Sequence, residues 1–457
     1  MKNTTIAAAL FVTLLVAVHA GNHPPVERRD TLIGIPSAAA SPTAPAGRPD
    51  QGFLYGRVTT DEGGTYVGRL RFGRDEEAFW GDYFNGVKAE NPWAAQTGDE
   101  RLTQKRRAFT IFGFEFPFGV DPVDLGRPFM ARFGDITRIE ARGRHVRVTL
   151  KSGSASDLDR MAANDFDDGV RVWDGSRGVV DLASWAGGIP PPARVRVRTI
   201  ELIPTAALGT VPGRLHGTVR TRHGDFTGFI QWDREACVTA DELAGRTAEG
   251  SLRVPFETIR SIARRSRDSS LVTLRDGREI ALSGTRAVGE GHGGIYVDDP
   301  RYGRVLVSWD AFERIDFSAA GSGPGYADFP PGRRLTGTVT ARGGRRLTGR
   351  LVYDLDETET TETLDAPSRG VDYTVPFGLV ASIVPAGRTE GGAGRARVRL
   401  QGGEELQLDR AGDLGDRNAG MLIFVDGRAR ADYVPWTDVA QVDFDRPPLM
   451  YPALRGR

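Results

Sequence analysis

Three short clusters of carboxylic side chains are the residues of this chain whose types and spacing could do chemistry. Each follows an alternating apolar segment; the members are Asp75, Glu76 and Glu77, then Asp233 and Glu235, then Asp354, Asp356 and Glu357. Clustered carboxylates on a loop could supply the oxygen ligands of Ca²⁺ or the acid and base of a hydrolase. They lack the spaced Asp, Asn and Gly of a dedicated calcium loop. A solvated strand end whose charges discourage edge pairing also explains them, and we favour this interpretation.

Aromatic side chains form a second candidate surface. Trp80 and Trp93 lie outside the alternating pattern, and a Phe-rich stretch at 109–118 predicts an inserted strand with one aromatic face. These rings could stack on a sugar or a peptide, or the insertion could pack over the open end of a barrel. The candidate ligand-binding residues are therefore Asp75, Glu77, Trp80, Trp93, Asp233, Glu235, Asp354 and Asp356.

The remaining reactive side chains do not form a recognisable site. His216 and His223 flank a predicted hairpin without the convergent spacing of a zinc site. Cys237, the single cysteine, is interpreted as a buried apolar side chain. No Gly-x-Ser-x-Gly motif is present. The basic run 260–267 could contact a phosphate or an acidic glycan, or be a solvated linker. We predict no catalytic residues, no metal ligands and no cofactor.

The elements that must position the carboxylates are repeated strands. A Leu-x-Gly-x-Val pattern begins at Leu54, Leu215 and Leu335, and each copy is followed by a Gly-containing turn and a second alternating run. Alternation with period two predicts strands with one buried face, and the turn predicts a hairpin. A glycine at the same place in each strand indicates a bulge or a sharp bend.

A second recurring pattern places an aromatic residue three and six residues before two aliphatic ones. It begins at Phe133, Phe256, Trp309, Phe377 and Trp436. The spacing predicts one turn of 3₁₀ helix between two strands, because residues i and i+3 share a face there. The sequence therefore predicts an all-β fold of three tandem repeats of small barrels or sandwiches, each made of two similar half-modules. The architecture resembles SH3-like and Sm-like barrels, although the residues with which Sm proteins bind nucleic acid are not found.

The pattern also sets predicted boundaries. Residues 1–20 are predicted to be a signal peptide, because Lys2 precedes an apolar run that ends in Val-His-Ala. The other predicted segments are a disordered Pro/Ala/Ser-rich linker at 21–50, a first module with insertions at 51–205, a second module at 210–318, a linker at 319–332, a third module at 333–445 and a C-terminal tail at 446–457.

Charge and repetition narrow the function classes. The formal net charge is +0, from 60 basic and 60 acidic residues, so no global field attracts nucleic acid. A duplicated β-module without a duplicated catalytic constellation predicts an exported, periplasmic or secreted, non-enzymatic binding or scaffold protein. Its partner would be an envelope protein, peptide or glycan, with no transmembrane segment after signal cleavage. The alternative is a secreted hydrolase or carbohydrate-binding protein that uses the acidic loops or the first-module insertion.

Overall fold

The protein is described by a computed structural model. It describes residues 52–73, 76–97, 108–111, 114–117, 128–160, 163, 166, 169–182, 196–321, 323–385, 387 and 394–446. In these ranges the chain forms strands and short 3₁₀ helices. No helix in them has the length and apolar character needed to span a bilayer. The all-β prediction is confirmed: the strands form several antiparallel sheets.

The strands fall into three sets along the chain. The first set is β1 (Tyr55–Thr60), β2 (Thr65–Phe72), β3 (Tyr83–Val87), β4 (Ala108–Ile111), β5 (Phe114–Pro117), β6 (Pro128–Arg132), β7 (Ile136–Arg142), β8 (His145–Leu150), β9 (Ala155–Asp159), β10 (Val170–Asp174), β11 (Gly178–Leu182) and β12 (Val197–Leu202). The second set is β13 (His216–Thr221), β14 (Gly224–Trp232), β15 (Glu242–Thr247), β16 (Gly250–Pro255), β17 (Ile259–Ser266), β18 (Ser269–Leu274), β19 (Glu279–Ser283), β20 (Ile295–Asp299), β21 (Gly303–Val307) and β22 (Phe312–Phe317). The third set is β23 (Thr336–Ala341), β24 (Arg346–Val352), β25 (Thr363–Ser368), β26 (Val371–Pro376), β27 (Val380–Val384), β28 (Arg395–Leu400), β29 (Glu405–Asp409), β30 (Met421–Phe424), β31 (Asp432–Val434) and β32 (Val439–Phe444).

Short 3₁₀ helices separate some of these strands. They are Ala94–Gln96, Phe133–Asp135, Phe256–Thr258, Arg286–Val288, Tyr326–Asp328, Phe377–Leu379, Gly412–Leu414 and Trp436–Asp438. Four of them begin at the aromatic residue of the pattern described above, so the predicted 3₁₀ turn is confirmed at those places. At Trp309 the chain makes a hydrogen-bonded turn instead.

One strand order recurs in all three sets. It is β11-β10-β2-β1-β12-β7-β8-β9 in the first, β21-β20-β14-β13-β22-β17-β18-β19 in the second, and β31-β30-β24-β23-β32-β27-β28-β29 in the third. Each set keeps one further antiparallel pair: β3 with β6, β15 with β16, or β25 with β26. Three segments with different loops therefore reach the same strand order.

The two halves of each set exchange strands. In the second set, the first half ends with the aromatic pattern that begins at Phe256. Strands β13 and β14 of this half pair with β22 and β20 of the second half. The hairpin β15–β16, also from the first half, joins β19 of the second. Two five-strand units result, with orders β16-β15-β19-β18-β17 and β21-β20-β14-β13-β22. Each unit contains strands from both halves, so the successive half-modules of the sequence are not separate packing units.

The conserved position of one glycine pair has a steric cause. Gly56 faces Gly68, Gly217 faces Gly228 and Gly337 faces Gly349 across the first hairpin of each set. A Cβ at Gly228 would lie 2.0 Å from the carbonyl oxygen of Asp298 on the neighbouring strand. The register is continuous at these pairs, so the glycines permit a close approach between strands and do not mark a bulge.

The sets contact one another through strands and through the segment between the second and third sets. Strand β26 of the third set pairs with β21 of the second, with Arg304 opposite Thr374. Phe329, from the connecting segment, packs so closely on the first set that a Cβ at Gly134 would lie 2.4 Å from its ring. Lys151 of the first set donates hydrogen bonds to the carbonyls of Tyr326 and Phe329, at 2.5 and 3.0 Å.

Candidate functional site

The acidic residue directly after the second strand adopts a left-handed backbone conformation. Asp233 has φ 56° and Asp354 has φ 47°, and Gly73 occupies the corresponding place in the first set with φ 51°. Glycine adopts this region freely, and Asp is one of the few other residues that tolerate it. These two carboxylates therefore occur where the chain needs a glycine-like turn.

Each of these carboxylates also fixes a distant loop of its own set. Asp233 accepts a hydrogen bond of 2.5 Å from the backbone N–H of Gly293 and pairs with Arg286 at 3.0 Å. Asp354 accepts from the N–H of Ala419, at the equivalent loop of the third set. Burial raises the pKa of Asp233, although these two donors oppose the change. The carboxylates thus tie the turn after the second strand to the loop before β20 or β30.

A second carboxylate stabilises each turn from its far end. The Asp82 Oδ2 accepts from the backbone N–H groups of Glu77 and Ala78, both at 2.8 Å. Asp241 does the same in the second set, at 2.8 and 3.0 Å. Glu362 does it in the third, at 2.5 and 2.9 Å. In each set the carboxylate thereby satisfies two neighbouring backbone N–H groups of the turn.

Lys88 brings the acidic turn of the third set into contact with the first set. Its Nζ lies 2.8 Å from both Asp356 Oδ1 and Glu362 Oε1, and all three side chains are largely buried. Burial alone would lower the pKa of Lys88, yet the two carboxylates raise it above its ordinary value. Glu357 beside them is also buried, and burial together with the neighbouring carboxylates raises its pKa well above the usual range.

Glu77 and Trp80 of the first set are buried. Glu77 Oε1 lies 2.9 Å from Arg71, and its Oε2 lies 3.7 Å from Arg69. Burial raises the pKa of Glu77, and the two arginines oppose that change. The Trp80 indole packs against Phe329, with ring centroids 6.2 Å apart. Both side chains therefore lie inside contacts that the protein makes with itself.

Glu235 and Trp93 are the more accessible candidates. The Glu235 side chain is 58% exposed and pairs with Arg286 at 2.9 Å. Trp93 is half-buried and meets Phe424 of the third set edge to face, with centroids 6.1 Å apart. Arg350 lies over the Trp93 ring at 5.7 Å. The ligand-binding role of these residues stays a prediction.

A buried ionic junction joins the first and second sets. Arg304 of β21 pairs with Asp82 at 3.1 Å and with Asp298 at 3.0 Å. Its guanidinium also lies over the rings of Tyr296 and Tyr83, at 4.3 and 5.1 Å. Asp298 is buried, which raises its pKa. Since β26 pairs with β21 at Arg304, all three sets meet around this arginine.

The other reactive side chains have structural neighbours. His216 lies 2.8 Å from Ser318 Oγ, and His223 lies 3.3 Å from Arg369. Cys237 is buried, and burial raises the pKa of its thiol well above the ordinary value. Among the described residues, no group of three or more His, Cys, Asp or Glu side chains is placed to hold a metal ion.

The seven candidate residues that the structure describes are not brought together in one place. Six of them occur as three separate pairs. Glu77 and Trp80 lie beside Arg71 and Phe329, and Asp233 and Glu235 lie beside Arg286. Asp354 and Asp356 lie at the third-set turn near Lys88. Asp75 lies outside the described residues. In the stretch predicted as an inserted strand, β4 and β5 form a hairpin. Comparisons with protein-family models, with curated proteins and with solved structures give no match to this chain.

Sequence reasoning missed the residues that organise these turns. In each set, one further acidic residue follows the acidic cluster after nearly the same number of residues. It is Asp82, Asp241 or Glu362, and a comparison of the three copies identifies it. The alignment of Gly73 with Asp233 and Asp354 was a second available signal, since it indicates a shared positive φ. Lys88 and Arg304 carried no such signal, because each acts once and across sets.

Proposed function

We propose that this chain is an exported, non-enzymatic binding or scaffold protein of the cell envelope, built from three tandem repeats of small SH3-like or Sm-like barrels. The recurring strand order supports the repeats. In the five-strand unit β21-β20-β14-β13-β22, the last strand along the chain, β22, follows the aromatic turn at Trp309 and lies beside the first strand, β13. That arrangement is the one expected of a small barrel of this type.

The use that the protein makes of its own carboxylates is the observation that carries this proposal. Asp233, Asp354 and Asp356, which had suggested chemistry, are engaged by backbone N–H groups or by basic side chains of the same chain. A general acid or base needs access to a substrate proton. Carboxylates that fix turns and join strand sets instead fit a framework whose surface presents loops to a partner.

The alternative is a secreted hydrolase or carbohydrate-binding protein. Glu235 is its best candidate residue, because its carboxylate is exposed and lies near the buried Asp233, with Arg286 contacting both. A hydrolase that used this pair would have Glu235 as the accessible acid or base. The proposal and its alternative therefore differ in what happens when Glu235 alone is removed.

The experiment combines capture with turnover. The full chain and its Glu235→Ala variant are immobilised and incubated with envelope extract, and with purified peptidoglycan and polysaccharides. We expect both proteins to retain the same partner and neither to release reducing ends or peptide fragments. Fragment release by the wild-type chain that Glu235→Ala abolishes, with unchanged circular dichroism, would overturn the proposal.

Glu290→Ala is the matched control for this variant. Glu290 is similarly exposed, at 57%, and it pairs with Arg267 at the surface of the same set. Because exposed ion pairs contribute little to stability, both variants should unfold at the wild-type temperature. A loss of partner in both would indicate a general charge effect, which also contradicts a defined binding surface.

A further inference from the structure

The contact between β21 and β26 shows how one strand set of this protein can extend the sheet of another. Strand β26 belongs to the third set and adds to the outer edge of β21 in the second. The paired residues are Arg304 with Thr374, Val305 with Tyr373, Leu306 with Asp372 and Val307 with Val371. The acceptor strand recurs in the first set and the donor hairpin in the second, and among the described strands these two counterparts do not pair with each other.

The acceptor counterpart in the first set is β11. It begins at Gly178 with φ 77°, as β21 begins at Gly303 with φ 89°. Both strands pair with the preceding strand over five residue pairs. Within the described residues, β11 is the last strand of its sheet, whereas β21 is covered by β26. The two acceptors are thus equivalent in position, and among the described strands only β21 has a further strand beside it.

The edge of β11 carries an unusually exposed apolar side chain. Val179 is 59% exposed, more than the other large exposed hydrophobic residue of the described chain, Val87 at 39%. Its counterpart on the covered strand is Arg304, which is buried at the junction described above. A strand edge that displays Val is a template for a further strand, and proteins usually protect such edges with charge, proline or a cover.

The donor counterpart is β16 of the second set. It pairs with β15 as β26 pairs with β25, and both hairpins end in Pro, at Pro255 and Pro376. Within the described residues β16 is the terminal strand of its sheet. Ser251 and Arg253 of β16 are exposed, so this strand lies at the protein surface.

We propose that β16 of one copy of this chain adds to β11 of a second copy, in the register that β26 and β21 use within the chain. This register places Val179 opposite Arg253, Val180 opposite Leu252 and Asp181 opposite Ser251 of the other copy. Because the donor and acceptor surfaces differ, the contact is head-to-tail, and each added copy leaves one donor and one acceptor free. A ladder this short buries little area, so the association is weak and depends on concentration.

A disulfide trap tests the register directly. Residues opposite each other in an antiparallel pair have Cα atoms about 4.5–5.5 Å apart, within the range that a disulfide spans. The native Cys237 is buried and does not compete. Val179→Cys and Arg253→Cys are made separately in full chains carrying tags of different size, mixed, and oxidised with oxidised glutathione. We expect the mixed dimer to exceed both homodimers several-fold.

The control for random collision is Arg222→Cys, at a hairpin end where the native side chain is 71% exposed. Mixing it with Val179→Cys should give little mixed dimer. Equal yields from the Arg253→Cys and Arg222→Cys mixtures would overturn the proposal. A dominant homodimer of Val179→Cys would also overturn it, since that product requires a symmetric pairing of β11 with itself.

A series of charge substitutions, without engineered cysteines, tests the contact independently. Sedimentation velocity at rising concentration should show self-association of the wild-type chain. Val179→Lys should weaken it, because Lys would face Arg253, whereas Val179→Glu should strengthen it. Adding Arg253→Glu to Val179→Lys should restore association. Wild-type chain that stays monomeric at every concentration, or identical behaviour of the Lys and Glu variants, would contradict the proposed contact.

Discussion

Replacing Gly228 by Ala is the sharpest test of how the sheets are built. The new Cβ would lie 2.0 Å from the Asp298 carbonyl oxygen. Real Cβ contacts essentially never fall below 3.0 Å, so strands β14 and β20 must separate by about 1 Å or more at this point. Overpacking of this kind costs about 1–3 kcal/mol, and each weakened ladder hydrogen bond adds about 1 kcal/mol. We expect Gly228→Ala to lower the free energy of unfolding by about 3 kcal/mol or more.

Urea unfolding followed by tryptophan fluorescence measures this loss, and hydrogen exchange locates it. The hydrogen-exchange protection of β14 and β20 should fall more than that of the other strands. Gly343→Ala is the matched control, because it lies in a first-hairpin turn and a Cβ there meets nothing within 4 Å. The control should change stability by less than about 1 kcal/mol. A Gly228→Ala variant within about 1 kcal/mol of the control would refute the close-approach explanation of the glycine pairs.

Three further predictions concern buried contacts. Lys88→Met should lower the free energy of unfolding by about 3–5 kcal/mol, because it leaves two buried carboxylates without their cation. Thermal unfolding measures this loss, with the exposed Arg222→Met as control. Equal losses in the two variants would contradict the stabilising role of the Lys88 contact. Burial lowers the pKa of His292 to about 3. As the pH falls below about 6.5, this histidine is therefore protonated in the unfolded chain but stays neutral in the folded chain. Stability should therefore fall by at most about 1.4 kcal/mol per pH unit between these values, and His292→Asn should remove that slope; a variant with the wild-type slope would sink the assignment. Phe329→Ala should expose the segment at 319–332 to limited proteolysis, because its ring anchors that segment at Gly134, and an unchanged cleavage pattern would argue against the anchor.

The sequence was sufficient for features that depend on local periodicity. Alternation predicted the strands, and the aromatic pattern predicted 3₁₀ turns such as that at Phe256. The partners of the strands were not predictable in the same way, because β13 and β18 present the same alternation to any neighbour. The exchange between halves depends on which strands meet after folding, and no local pattern records that choice.

The candidate site shows the same division. The sequence identified acidic residues at turns, and the structure places Asp233 and Asp354 there as predicted by their position in the pattern. The sequence did not indicate that their carboxylates would accept hydrogen bonds from backbone N–H groups some 60 residues later in the chain. No local pattern indicated that Glu77 would be buried against Arg69 and Arg71 of β2, or Asp356 against Lys88 of the first set.

Strand exchange has a consequence for the order in which the chain can fold. Val58 of β1 pairs with Ile200 of β12, so the first strand waits for a partner that is made about 140 residues later, by the difference of the two positions. Contacts this distant in sequence slow folding. Until β12 is made, β1 and β2 form an isolated hairpin, which is marginally stable alone. Each set should therefore fold in a single cooperative step once its last strand is available, and a break between its halves should abolish folding of both.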